Sequence, residues 1–137
     1  SSALAFTLTG RRRHARRAAE AAVRLLADPV DSDLRRSLLL LGACVAYDLT
    51  GAGWSPAERR AVAAGAGELA RRLASTTLCP GNPDNPFNNW WGVTHSSAAL
   101  AALCFLPEDP ALAPLLAQED ERVRTYLLNY GDAGHYY

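Results

Sequence analysis

Methionine and lysine are absent from these 137 residues, and only three cysteines occur. No stretch alternates apolar and polar residues as a half-buried strand would, so sheet architectures are set aside and an all-α fold is expected. The cysteines, Cys44, Cys79 and Cys104, are odd in number and match no CxxC-type spacing, which argues against a metal or redox motif. Cys44 and Cys104 lie in apolar helical runs and read as small core residues. With no lysine, all fourteen basic residues are arginine, and fourteen acidic residues balance them to zero net charge. Heavy alanine and leucine usage makes the missing lysine a matter of coding bias, and the zero balance argues against a polyanionic, basic or membrane partner. No apolar run reaches membrane-spanning length, and Ser1 to Gly10 lacks a charged stretch before its apolar residues, so neither a span nor a leader is expected within the chain. The missing methionine, with an end at Gly131-Asp132-Ala133-Gly134-His135-Tyr136-Tyr137, suggests one partial domain, residues 1–137, cut at both ends from a longer polypeptide.

What remains is a succession of helical patterns. From Arg11 to Ala27, the residues Ala15, Ala18, Ala19, Ala22, Val23, Leu25 and Leu26 form an amphipathic stripe, stopped by Asp28-Pro29. Its arginines, Arg11, Arg12, Arg13, Arg16 and Arg17, lie opposite that stripe and read as a solvated face, with Glu20 expected to pair with Arg24. A nucleic-acid patch is the other reading, and the zero net charge weighs against it. A second helix is expected from Asp31 or Ser32 to Leu49, apolar nearly all round between Leu38 and Tyr47 and therefore enclosed by neighbours. Ser55-Pro56-Ala57-Glu58 is a capping box with proline at the first helical position. It opens a helix whose stripe is Val62, Ala66, Leu69 and Leu73. A loop with three prolines, Thr76 to Phe87, then leads to a helix over Asn89–Leu106, and a last helical region fills Pro110 to Tyr130. Helices of this length on short connections imply antiparallel hairpins. The long loop is the exception, and such loops are more often functional than incidental. Helices absent from the chain would leave the array open, with apolar surface exposed on the first and last of these segments.

The densest chemistry is at Phe87-Asn88-Asn89-Trp90-Trp91-Gly92-Val93-Thr94-His95. Asn88 or Asn89, as an N-cap, would simply accept a backbone N–H. The same place suits an anionic ligand group, because a helix start presents unpaired N–H groups and positive dipole. Asn88, Trp91, Gly92 and His95 fall on one side of a helix, and the glycine would leave room for a ligand. Trp90 and Trp91 read as hydrophobic anchors or as platforms for sugar rings. His95 reads as a satisfied, half-buried histidine or as a general acid or base with a near-neutral pKa. The closing Gly131–Tyr137 stretch is either an exit loop or, with Tyr130, His135, Tyr136 and Tyr137, part of a cleft wall.

Taken in order, Leu8-Thr9-Gly10, Ala46-Tyr47-Asp48-Leu49, Trp54-Ser55-Pro56-Ala57-Glu58-Arg59, Asn88-Asn89-Trp90-Trp91-Gly92-Val93 and Gly131–Tyr137 resemble the helical (α/α) toroid domain of the heparinase II/III-like and alginate-lyase-like polysaccharide lyases. The resemblance covers nearly the whole chain, although the family's toroid is considerably longer. It implies antiparallel hairpins forming part of an incomplete toroid, a secreted or periplasmic protein, and an acidic polysaccharide or oligosaccharide as substrate, with no cofactor, metal, nucleic acid or membrane. It further implies β-elimination: Asn89 or Asn88 neutralises a uronate carboxylate, and a tyrosine or histidine removes the C5 proton. Trp90, Trp91, His95 and His135 carry over as cleft residues. Trp90 stands where some members place histidine. The family's catalytic tyrosine follows Glu-Gly beyond the aromatic turn, so the base is expected past Tyr137, with Tyr136 or Tyr137 as stand-ins. On that reading the chain holds half an active site and is inactive alone. A non-catalytic α/α module binding carbohydrate or protein is the alternative.

Overall fold

The Ser55 signal is realised in full. In a computed structural model, which describes residues 2–76 and 89–128, Ser55 Oγ accepts from the Glu58 backbone N–H at 3.2 Å and Glu58 Oε2 accepts from the Ser55 N–H at 2.7 Å. Two orphan donors of the helix start are thereby satisfied, and Pro56 costs nothing at the first position. Six α-helices are present among the described residues: α1 (Ser2–Thr9), α2 (Arg12–Leu26), α3 (Asp33–Thr50), α4 (Pro56–Ala74), α5 (Asn89–Phe105) and α6 (Ala113–Leu128). Short 3-10 turns at Gly51–Gly53 and Pro110–Leu112 link α3 to α4 and lead into α6, and no strand occurs among the described residues. None of these helices is long and apolar enough to cross a membrane.

Each helix packs against the next in sequence, and α3 also lies beside α1 and α5 while α4 lies beside α2 and, less closely, α6. The result is two layers, odd-numbered helices in one and even-numbered in the other. Between them sit Leu40, Val62, Leu73, Phe105 and Leu112, all fully buried, embedded in a run of buried alanines from α2, α4 and α5. Small side chains let the helix axes approach closely, and the few large ones fill the remaining space at solid-like density. At one end Tyr47 packs on Phe105 with ring centroids 4.9 Å apart and meets Trp54 edge-on at 5.5 Å. There Glu108 accepts from Tyr47 Oη and pairs with Arg59, each at 3.0 Å. Burial, then the Glu108 carboxylate, raises the Tyr47 phenol above its ordinary value, so Tyr47 is a structural donor.

Several sequence expectations need correction. Ser2–Thr9 forms a helix that the sequence pattern did not mark: Thr7 and Thr9 donate their hydroxyls to carbonyls four residues back, and Gly10 closes α1 with φ 64°, a left-handed backbone that suits glycine. The centre of α3 is not enclosed. Leu40, Ala43 and Cys44 are buried, but Leu38, Val45 and Leu49 are exposed, because α2 and α4 cover only one side and no described element lies over the other. Leu100 and Leu103 of α5 continue this open apolar face. Apolar side chains are also exposed on α2, at Val23 and Leu25, and on α6, at Leu127 and Leu128, as expected for the first and last segments. Glu20 pairs with Arg16 at 3.1 Å and not with Arg24. Helical side chains lean toward the N-terminus, which brings the carboxylate back to the preceding turn. Finally, the last helical region is split, since Asp109 accepts from the Ala111 N–H at 3.2 Å and starts a 3-10 turn before α6 begins.

Candidate functional site

The opening of α5 divides its polar and aromatic residues between water and core, one helical step at a time. Asn89 is exposed and Trp90 is 49% exposed, whereas Trp91 is 4% and His95 2% exposed, and Gly92 is buried. A step of one residue turns a helix by about 100°, which is enough to send neighbouring indoles in different directions. The side shared by Trp91, Gly92 and His95 therefore faces α6, and the side shared by Asn89 and Trp90 faces solvent.

Gly92 leaves room, but not for a ligand. The ring of Tyr126 from α6 occupies it: a methyl group added at Gly92 would come within 2.5 and 2.7 Å of the Tyr126 Cε atoms. The same ring stacks on Trp91 at a centroid distance of 5.9 Å, and Trp91 in turn lies 4.3 Å from the His95 ring. His95 Nδ1 meets Glu119 Oε2 at 2.5 Å, and the other carboxylate oxygen, Oε1, accepts from Arg122 at 2.7 Å. Arg122 also donates to the Ala74 carbonyl at 2.9 Å, tying the end of α4 into the same network. Glu119 is completely buried. A buried carboxylate is tolerable only with partners of this kind on both oxygens, so the trio fixes α5, α6 and α4 to one another.

Trp91 Nε1 and Thr94 Oγ1 are buried beside this network without a hydrogen-bond partner among the described residues. Other buried hydroxyls on the helices, those of Ser37, Thr50 and Ser97, donate to carbonyls four residues back.

His95 sits six residues, roughly 9 Å along the axis, below Asn89, shielded from solvent by Trp91 and Tyr126. It positions the helix start and does not line an open surface. Of the residues singled out from the sequence, Asn89 and Trp90 stand together in solvent, and Trp91 and His95 stand together beneath them. Asn88, Tyr130, His135, Tyr136 and Tyr137 lie outside the described residues, as does most of the loop from Thr76 to Phe87. The sequence pattern does not single out Glu119 or Arg122. The signal for Glu119 was there: it falls on the apolar spacing Leu112, Leu116, Glu119, Val123, Tyr126 of the last helix, inside a charge-rich run that reads as solvated.

No group of three or more His, Cys, Asp or Glu among the described residues is arranged to hold a metal ion. No protein-family model matches the chain, and no curated protein or solved structure does either.

Proposed function

We propose that the chain is part of an (α/α) toroid and supplies the carboxylate-binding half of a polysaccharide lyase site. The observation carrying this reading is the split at the head of α5: a carboxamide and an indole held in solvent at a helix N-terminus, on a helix anchored by a buried ionic network. Asn89 donates to a uronate carboxylate without adding charge, the helix dipole favours the same anion, and Trp90 offers a face to the sugar ring. Spreading the carboxylate charge over these donors stabilises the enolate-like state formed when the C5 proton leaves. A base, Tyr136, Tyr137 or a residue beyond them, takes that proton. The glycosidic bond then breaks, and the departing oxygen carries away the electron pair and gains a proton, leaving an unsaturated uronate. His95 keeps Asn89 and Trp90 in place through α6.

The test is to incubate the full-length protein with alginate, heparan and related uronate glycans and to follow the absorbance of the unsaturated product. Absorbance growth on at least one of them is expected; a flat trace on all of them overturns the reading. The uncovered apolar face of α3 and α5, with a hollow of about 410 Å³ lined by Val45, Leu49, Leu100 and Leu103, favours a second reading. In it the chain is a non-catalytic module binding carbohydrate or protein, distinguished by binding without turnover.

A further inference from the structure

The arginines of α2 do more than solvate a helix face. Arg12, Arg13 and Arg16 form one wall of a hollow of about 790 Å³, whose other walls are Ala52, Gly53, Trp54, Ser55, Pro56 and Glu58. Glu108, just past the end of α5, pairs with Arg59, and Arg59 donates to the Trp54 carbonyl at 3.1 Å. The hollow therefore lies at the far end of the array from Asn89, separated by the length of the 17-residue α5, about 25 Å.

Two features give it an anion-binding character. First, charge is concentrated there in a chain with none overall. Three guanidinium groups face one carboxylate, and that carboxylate is turned onto the Ser55 N–H. Arg16 is shared with Glu20, but Arg12 and Arg13 are exposed, with no carboxylate bound to either among the described residues. Second, Arg11, which precedes α2, gives it no side-chain cap, so the first N–H groups and dipole of the helix add to the positive field.

We propose that this hollow binds the sulfate or carboxylate groups of an acidic saccharide, at a site separate from the head of α5. The proposal deepens the lyase reading and takes its ligand class from it. A nucleic acid fits less well, because the only aromatic ring in the wall, that of Trp54, is buried, leaving no exposed face on which a base can stack.

The experiment is a calorimetric titration of the Asn89→Ala protein with a heparin oligosaccharide, repeated with Arg12→Ala/Arg13→Ala added. The three changes are at exposed positions, and thermal melts verify that each protein is folded. Losing both guanidinium contacts should weaken binding roughly tenfold or more, and an uncharged oligosaccharide should not bind. Equal affinity with and without the two arginines overturns the proposal. Tighter binding of a single-stranded DNA of equal charge also overturns it, in favour of nucleic acid. The readout requires no turnover, so if heparin binds here while the full-length protein with Asn89 intact cleaves no uronate glycan, the lyase reading is refuted and this site is left standing.

Discussion

Replacing Glu119 by alanine strips the buried network of its only anion. His95 Nδ1 loses its partner among the described residues in a site 2% exposed, and Arg122 keeps the Ala74 carbonyl, the Gln118 carboxamide oxygen and its partial contact with water. Breaking a buried pair from one side costs about 3–5 kcal/mol, because the remaining polar group stays desolvated. For a chain of this size each kcal/mol moves the melting temperature by roughly 3–5 °C, so Glu119→Ala should melt roughly 10–20 °C below the parent. Glu119→Gln keeps the shape: its oxygen can still accept from Arg122, and its amide can face His95 once the ring proton sits on Nε2. It should lose less than half as much. Arg124→Ala is the control on the same helix. Arg124 and Asp120 are 2.7 Å apart, as close as the buried pair, yet both are exposed, and water screens such pairs so that they contribute little. Circular dichroism melts of the four proteins at neutral pH measure all of this. Glu119→Ala melting within a few degrees of Arg124→Ala would refute the claim that burial makes the trio the clamp on α5.

Gly92→Ala should cost about 1–3 kcal/mol through overlap with Tyr126. In a Tyr126→Ala background the same change should stabilise by up to about 1 kcal/mol, since only helix propensity is then at stake; a denaturant double-mutant cycle reads the change of sign. Ser55→Ala should lower stability by about 1 kcal/mol through loss of the α4 cap, measured by urea unfolding. The Ser55 N–H holds the Glu58 carboxyl below its ordinary 4.5. Its stabilisation is therefore complete above that value and fades as pH falls through the lowered folded value, so the deficit of Glu58→Ala, which removes the carboxyl that Ser55→Ala leaves in place, should shrink in acid. Phe105→Ala, emptying a fully buried site beside Tyr47, should cost about 3–5 kcal/mol in the same assay.

The helices legible in the sequence were those whose ends carry chemical marks. Ser55-Pro56-Ala57-Glu58 announced α4, Asp28-Pro29 closed α2, and Asn89 opened α5 at its observed first residue. α1 was hidden because Ser2–Thr9 contains no charged residue to define a face. α3 misled for the opposite reason: an all-round apolar helix implies neighbours on every side, and here one side is open. At the candidate site the location was legible and the direction was not. Trp90 and Trp91 are equivalent in composition, and only the position of α6 decides which is in water. Glu119 was obscured by Asp120, Glu121 and Arg122, which belong to the solvent-facing and half-buried turns around it. The arginine-rich start of α2 has the sequence pattern of a solvated face, and the hollow beside it arises only when the Gly51–Gly53 turn brings Trp54 alongside, a contact between segments about forty residues apart in sequence.

The most direct measurement on the central claim is lyase turnover of Asn89→Ala beside its melting temperature. Since Asn89 is exposed, the variant should melt like the parent while its rate on a uronate polysaccharide falls by roughly a hundredfold or more. Undiminished turnover, accompanied by a stability loss of about 1 kcal/mol, would make the residue a helix cap and nothing else.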